Sequence, residues 1–325
     1  MRVFRHLDEI PPSLGATILS IGNFDGVHCG HKTVLKQVVH RAKELKATAM
    51  TVTFDPHPMR ILQPESAPKL ITSLPIKLEL LKSTGLDAVL VIPFTAEFLR
   101  KTPKEFAQQV IVDRLKAKEV HEGTNFHFGH RAEGTIDRLA QFGRELGFNV
   151  EIYREMQIRH DAVSSSRIRQ LLQEGSVGRA RVLLGRSFSI ISTPAKGRGY
   201  GSKYTVPTIN LSSYNELIPA NGVYITRTTV GDERFGSVTN IGVRPTFGDA
   251  SFAIETHLLN FHPLSLNEST KIELEFLKRL RAEMKFPNPE ALRLQIQRDV
   301  KRAQRYFTLQ RRFVTQNSAP ASSHH

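Results

Sequence analysis

The densest chemistry in the chain lies in one stretch, Gly22-Asn23-Phe24-Asp25-Gly26-Val27-His28-Cys29-Gly30-His31. It follows an apolar run from Thr17 that reads as a buried strand. It precedes a segment where Val34, Leu35, Val38, Val39, Ala42 and Leu45 recur at helical spacing. Glycines at such a turn let the backbone come close to a ligand. The helix start offers phosphate unpaired N–H groups and the positive end of a dipole. His28 and His31 add ring donors, or positive charge if protonated, where phosphate charge develops. Zinc is a poor fit: the pair lacks the i,i+4 spacing of a zinc-binding helix and encloses no Glu. No Gly-rich loop ending in Gly-Lys followed by Ser or Thr occurs anywhere.

Four further stretches offer reactive groups, each with a plainer alternative. Ser164, Ser165 and Ser166 precede Ile168, Leu171 and Leu172, which suits a helix N-cap. The same hydroxyls and amides could bind phosphate, with Arg167 or Arg169 pairing to it. His57 sits between Pro56 and Pro58, which stiffen the exit of a strand; alone this is a turn. Phe126 and Phe128 flank His127, as core residues or as an aromatic wall. Thr208 and Asn210 lie two apart and would share one side of a strand. Their oxygens suit a hard cation such as Mg2+, or simply a polar strand face.

The elements that must position these groups change character along the chain. Thr48–Phe54, Ala88–Ile92, Lys118–His121 and Asn149–Arg154 read as strands. They alternate with helices at Pro75–Ser83, Pro103–Leu115 and Ile136–Leu146, the last stopped by Gly147. This predicts an α/β domain with a parallel sheet and its ligands at the carboxyl ends of the strands. After Gly185 the segments are short and β-rich: Phe188–Ser192, Gly222–Val230, Phe235–Ile241, Ala253–Phe261 and Lys271–Phe276. They predict an antiparallel β-barrel closed by a helix over Pro289–Phe307, with Leu292, Leu294, Ile296, Val300, Ala303 and Phe307 as its apolar residues. The expected domains are 1–185 and 186–310, with a polar, disordered tail over 311–325.

Composition narrows the function classes. Lys and Arg number 45 against 31 Asp and Glu, a net charge of +14. A basic surface attracts polyanions: nucleotides with several phosphates, or nucleic acid. There is no long block of like charge and no Trp for base stacking, so nucleic acid is not expected. The single cysteine, Cys29, excludes an internal disulfide and a thiolate zinc cage. No apolar run suits a membrane span and no signal-peptide core opens the chain, so the expected location is cytoplasmic, with no membrane partner.

Gly22–His31 resembles the H-x-G-H signature of the nucleotidylyltransferase superfamily. With Phe24-Asp25-Gly26-Val27 it resembles the bacterial bifunctional riboflavin kinase/FMN adenylyltransferases, or FAD synthetases. The resemblance continues through Thr53-Phe54-Asp55-Pro56-His57-Pro58, Asn125-Phe126-His127-Phe128-Gly129 and Ser164-Ser165-Ser166-Arg167-Ile168-Arg169, with Ser166 in place of Thr. It implies a Rossmann-like nucleotidylyltransferase domain. Gly22, Asn23, Phe24, Asp25, Gly30, Ser164, Ser165, Ser166, Arg167 and Arg169 would bind ATP there, with His28 and His31 catalytic. His57, Asn125, Phe126 and Phe128 would bind the flavin.

Pro207-Thr208-Ile209-Asn210, Asn240 to Phe247, Ile254-Glu255-Thr256-His257 and Arg281 to Phe286 are similar to riboflavin kinase motifs. They imply Glu255 as the catalytic base and Thr208 and Asn210 as Mg2+ ligands. Gly197, Gly199, Gly201, Arg281, Glu283 and Phe286 would lie around ATP and flavin. One region departs from the family: Arg198, Thr205 and Val206 stand where Asp, Gly and Phe are usual. Thr disfavours positive φ, so this loop is expected to close differently. Riboflavin, FMN and ATP are the implied small-molecule partners, and a monomer or weak oligomer is expected. The alternatives are an adenylyltransferase whose second domain only binds flavin, and a basic RNA-binding protein.

Overall fold

The computed structural model describes residues 1–195, 208–212, 214–245 and 250–317. Two compact units emerge: Met1–Ile168 with Leu183–Gly185, and Arg169–Val182 with the chain from Arg186 onward. Relative to the expected break at 185/186, residues 169–182 therefore group with the second unit. Hydrogen bonds to backbone carbonyls show why: Ala220 N–H donates to Leu172 O, and the Arg279 guanidinium donates to Glu174 O.

The first unit runs β1 (Arg2–Phe4), β2 (Thr17–Ile21), α1 (Cys29–Glu44), β3 (Thr48–Asp55), α2 (Pro58–Leu62), α3 (Leu74–Lys82) and β4 (Ala88–Pro93). Then come α4 (Pro103–Glu105), β5 (Ala117–Gly123), the hairpin of β6 (His127–Phe128) and β7 (Gly134–Thr135), α5 (Ile136–Leu146) and β8 (Asn149–Tyr153). A second hairpin, β9 (Gln157–Ile158) and β10 (Asp161–Ala162), leads into α6 (Ser165–Gln173). The helix expected over Pro103–Leu115 is instead α4 followed by a π-wound stretch, Phe106–Arg114.

Six strands form one parallel sheet in the order β1-β4-β3-β2-β5-β8. Strand β2 is buried along its whole length, as a sheet covered on both faces requires. Leu35, Val38 and Ala42 of α1 cover one face; Phe106, Val110, Ile111, Leu139 and Phe142 cover the other. Each fully buried Val, Leu, Ile or Phe among them contributes about 1.5–3 kcal/mol. The chain reverses its direction of travel across the sheet between β2 and β5. Their ladder stops at Leu19↔Val120, so Ser20–Ile21 and His121–Glu122 part and open a crevice at the strand ends.

The second unit holds α7 (Val177–Leu184) up to Val182, then β11 (Phe188–Ser192), β12 (Thr208–Leu211), β13 (Gly222–Val230), β14 (Glu233–Pro245), β15 (Ala250–Leu258), β16 (Ile272–Arg281) and α8 (Pro289–Asn317). Its strands form an antiparallel sheet in the order β11-β16-β13-β14-β15-β12, curled into a half-barrel. The segment after β11 reaches the far edge, where Ala195 N–H donates to Asn210 O and Ser212 N–H to Thr193 O. Helix α8 continues to Asn317, past the expected Phe307 and into the tail expected to be disordered. Only its middle packs as predicted: Val300, Ala303 and Phe307 lie on the sheet, whereas Leu292, Leu294 and Ile296 stay exposed.

Candidate active sites

The turn after β2 is built under strain. Phe24 and Val27, as well as Gly26, have positive φ, a conformation that costs non-glycine residues free energy and clusters at functional sites. Asp25 explains how the turn is held. Its buried carboxylate accepts from the N–H groups of Ile71 and Thr72 and from the Thr72 hydroxyl, while Gly26 N–H donates to Thr72 Oγ1. Asp25 thus serves as a latch, and it is absent from the walls of the cavity that the motif forms.

That turn delivers His28 to the N-cap of α1, where its Nδ1 accepts the His31 N–H at 3.3 Å. With Nδ1 accepting, a neutral His28 carries its proton on Nε2. The His31 ring stacks on His28, with centroids 3.6 Å apart, and its Nδ1 is buried without a partner. Burial, then the charges of His28 and Lys77, hold His31 well below the usual imidazole range, so the resting ring is neutral. A Cβ at Gly30 would press against the His28 ring at 3.3 Å, so this glycine makes room for the pair.

A cavity of about 410 Å3 opens over this helix start, at the crevice between β2 and β5. Gly22, Phe24, His28, Gly30, His31, Ser164 and Ser165 line it, as do Asn125 and Phe126. Ser164 caps α6, accepting from Arg167 N–H, and Ser165 Oγ donates to Asp25 O. Ser166 is exposed and off the cavity wall. Arg167 is turned to Asp161, with Nε at 3.0 Å and Nη2 at 2.9 Å from the same carboxylate oxygen. Arg169 lies on the part of α6 that groups with the second unit.

A second cavity, about 360 Å3, shares Ile21, Gly22, Asn125 and Phe126 with the first. Asn23, Phe54, Phe94, Phe98 and Phe128 also line it. Phe126 and Phe128 stack with centroids 5.4 Å apart, and Phe128 belongs to the core as well. His57 is not on the wall: its Nδ1 caps α2 by accepting Met59 N–H, and its neighbours Pro58 and Leu62 line the cavity.

In the second unit a cavity of about 530 Å3 is lined by Thr208, Asn240, Gly242, Glu255, His257, Arg281, Glu283 and Phe286, among others. Glu255 stands between two amides, in register with Asn210 on one side and Asn240 on the other. Asn210 is not on the cavity wall, but it and Thr208 do share one face of β12, both half-buried between buried neighbours. Arg281 is fixed by Asp299 at 2.9 Å and lies 5.7 Å over the Phe286 ring. Glu283 accepts from Asn221 and lies across Gly242, where a Cβ would fall 1.8 Å from Oε1. The exposed Leu292 and Ile296 of α8 form part of the rim, which explains why they are not buried. Gly197, Gly199 and Gly201 lie outside the described residues.

Among the described residues no group of three or more His, Cys, Asp or Glu gathers to hold a metal. The Thr208 hydroxyl, the Asn210 amide and the Glu255 carboxylate, on neighbouring strands, are hard oxygen donors. That set fits a magnesium ion held mainly by phosphate oxygens.

Some contributors were missed from sequence. Lys77 is a buried lysine behind the motif, Glu122 a buried acid in the crevice, and His257 a cavity residue whose Nδ1 lies 3.2 Å from Thr208 Oγ1. Burial holds Glu122 well above the carboxylate range, against the pull of the Ile21 N–H and Ser20 hydroxyl. The helical spacing of Leu74, Lys77 and Leu81 does mark Lys77 as facing the core.

Fold and sites together define a nucleotide-transferring α/β unit followed by a curled β unit with a second pocket. A family model for FAD synthetase matches residues 10–167 and one for riboflavin kinase matches residues 184–307. Bifunctional riboflavin kinase/FMN adenylyltransferases are 31% identical in Haemophilus influenzae, covering 94% of this chain and 99% of the relative. The corresponding Escherichia coli protein is 30% identical over 95% and 98%. The chain belongs to the bifunctional riboflavin kinase/FMN adenylyltransferase family. A solved Streptococcus pneumoniae chain titled a macrolide-efflux protein shares the fold, with a TM-score of 0.80 at 22% identity, covering 93% of this chain and 98% of that one. No described helix here is long and apolar enough to cross a membrane.

Proposed function

We propose that the first unit transfers an adenylyl group from ATP to FMN and the second phosphorylates riboflavin. The observation that carries the first assignment is the pair of cavities meeting at Gly22, Asn125 and Phe126. One lies over a helix start with two stacked histidines; the other is walled by phenylalanines. ATP occupies the former and the flavin ring the latter, so the FMN phosphate meets the α-phosphorus at their junction. Phosphate oxygens are already nucleophilic, and no strong base is required. His28 Nε2, His31 and the first N–H groups of α1 stabilise charge on the polyphosphate as pyrophosphate leaves. Ser164 and Ser165 complete that end, whereas Arg167 must leave Asp161 to take part.

In the second unit Glu255 accepts the ribityl hydroxyl proton as that oxygen attacks the γ-phosphorus. Asn210 and Asn240 flank the carboxylate, and Phe286 under Arg281 offers the flavin an aromatic face. Thr208 and Asn210 would hold Mg2+ with ATP, whose charge neutralisation the ion supplies. The division at 185/186, a cytoplasmic location and a monomeric or weakly associating chain belong to the same proposal.

Incubation with riboflavin, ATP and Mg2+, beside a sample given FMN, followed by flavin separation, tests it. FMN and then FAD from riboflavin is the expected result. FAD from the FMN sample alone overturns the kinase assignment and leaves a flavin-binding second unit. No FAD from either sample overturns the adenylyl-transfer assignment.

A further inference from the structure

Lys77 projects from α3 into the interior behind the Gly22–His31 turn and is 8% exposed. Its Nζ donates to Asn23 O at 3.2 Å, Thr53 Oγ1 at 3.1 Å and Phe54 O at 3.5 Å. Three oxygens match the three N–H bonds of an ammonium group, where a neutral amine would offer two. Burial lowers the Lys77 ammonium below the usual lysine range, Asp25 and Asp55 pull it back up, and His31 feels the repulsion of its charge. No carboxylate forms an ion pair with it among the described residues. The Asp25 carboxylate is spent on the N–H groups of Ile71 and Thr72.

A buried cation without a contacting anion costs folding free energy. The contact it makes to Asn23 O duplicates one already there, since Thr53 Oγ1 also donates to that carbonyl at 3.2 Å. Stability alone therefore gives no reason for a lysine at this position. A polyphosphate arriving in front of the turn does, because it brings the missing negative charge.

We propose that Lys77 is a positioning residue for adenylyl transfer, holding Asn23 at the junction of the two cavities and placing a fixed positive charge behind the turn that receives the polyphosphate. The inference rests on the reading of those cavities as the ATP and FMN sites. Lys77 lines neither cavity and touches no substrate; it acts through the Asn23 carbonyl and through its field.

The test compares wild type with Lys77→Met and Lys77→Gln in the full chain. It measures thermal stability, pyrophosphate binding by calorimetry, and the steady-state constants of both steps. Lys77→Met is expected to melt no lower than wild type, to bind pyrophosphate at least tenfold more weakly, and to make FAD from FMN about 100-fold more slowly, chiefly in kcat. Riboflavin phosphorylation stays at the wild-type rate as an internal control. Lys77→Gln keeps polar contacts while losing the charge, so it guards against misfolding of the Met variant and must show the same loss. Three results overturn the proposal: either folded variant making FAD within threefold of wild type, unchanged pyrophosphate binding, or a loss of FAD formation matched by a fall in melting temperature. Wild-type protein that makes no FAD from FMN and ATP defeats the adenylyl-transfer reading instead, and so is told apart from failure of the Lys77 role.

Discussion

His28 and His31 stack face to face at 3.6 Å, and the backbone N–H of the second donates to the ring of the first. Two imidazoles this close share one positive charge badly. Burial and then the charges of His28 and Lys77 hold His31 neutral at rest, and a phosphate in front of it would supply negative charge that favours its protonation. Replacing His31 by Ala should lower FAD formation about 100-fold or more while leaving FMN formation from riboflavin intact. Quantifying each flavin product against time checks this; an unaffected FAD rate would remove His31 from the mechanism.

The same burial sets a pH dependence. In the folded protein His31 is held below its ordinary value, near 6.5 for an unfolded chain, so the unfolded state takes up the proton first. Its contribution to stability is present above about pH 6.5 and is lost as pH falls through the folded value. Melting temperature should decline from pH 7 to pH 5, less steeply in His31→Gln. ATP should flatten the decline in the wild type. Melting curves at several pH values, with and without ATP, read this out.

Glu255→Gln should reverse the first pattern, cutting riboflavin phosphorylation by about 100-fold or more and sparing adenylyl transfer. The amide retains the size of the side chain and its place between Asn210 and Asn240. A normal melting temperature with a lost kinase step is the expected signature.

Gly242→Ala should act through Glu283. The added Cβ meets the far end of that side chain, which can swing away, so the fold survives. The displaced carboxylate leaves Asn221 and reshapes the cavity. The KM for riboflavin should rise with little change in melting temperature, as initial rates at fixed ATP would record.

Asp25→Ala should be a stability variant before it is an activity variant. It strands the buried N–H groups of Ile71 and Thr72, at a cost of about 2–3 kcal/mol. Chemical denaturation measures the loss, and FAD formation should fall in parallel as the turn relaxes.

The parallel sheet was legible because buried strands such as Ala88–Ile92 and the helix over Val34–Leu45 carry unambiguous periods. The motif residues were legible as a group, yet their individual roles were not. Asp25 reads like a phosphate-side acid, but its destination is a loop some fifty positions on, which no local pattern encodes. Arg167 reads like an anion clamp until the unforeseen hairpin β9–β10 brings Asp161 beside it. His57 behaves as its two prolines alone suggested, as part of a turn. In the second unit, Leu292 and Ile296 are four apart and follow helical spacing, which cannot distinguish a core from the rim of an open cavity.

The wall shared by the two cavities of the first unit, formed by Gly22, Asn125 and Phe126, has a kinetic corollary. With ATP and FMN in the two chambers as proposed, a dinucleotide product would span both at once, and each half would hold the other at high local concentration. FAD would then compete with both substrates, and its departure would slow turnover. The enzyme would throttle itself as its end product accumulates, a feedback loop that needs no separate regulatory site.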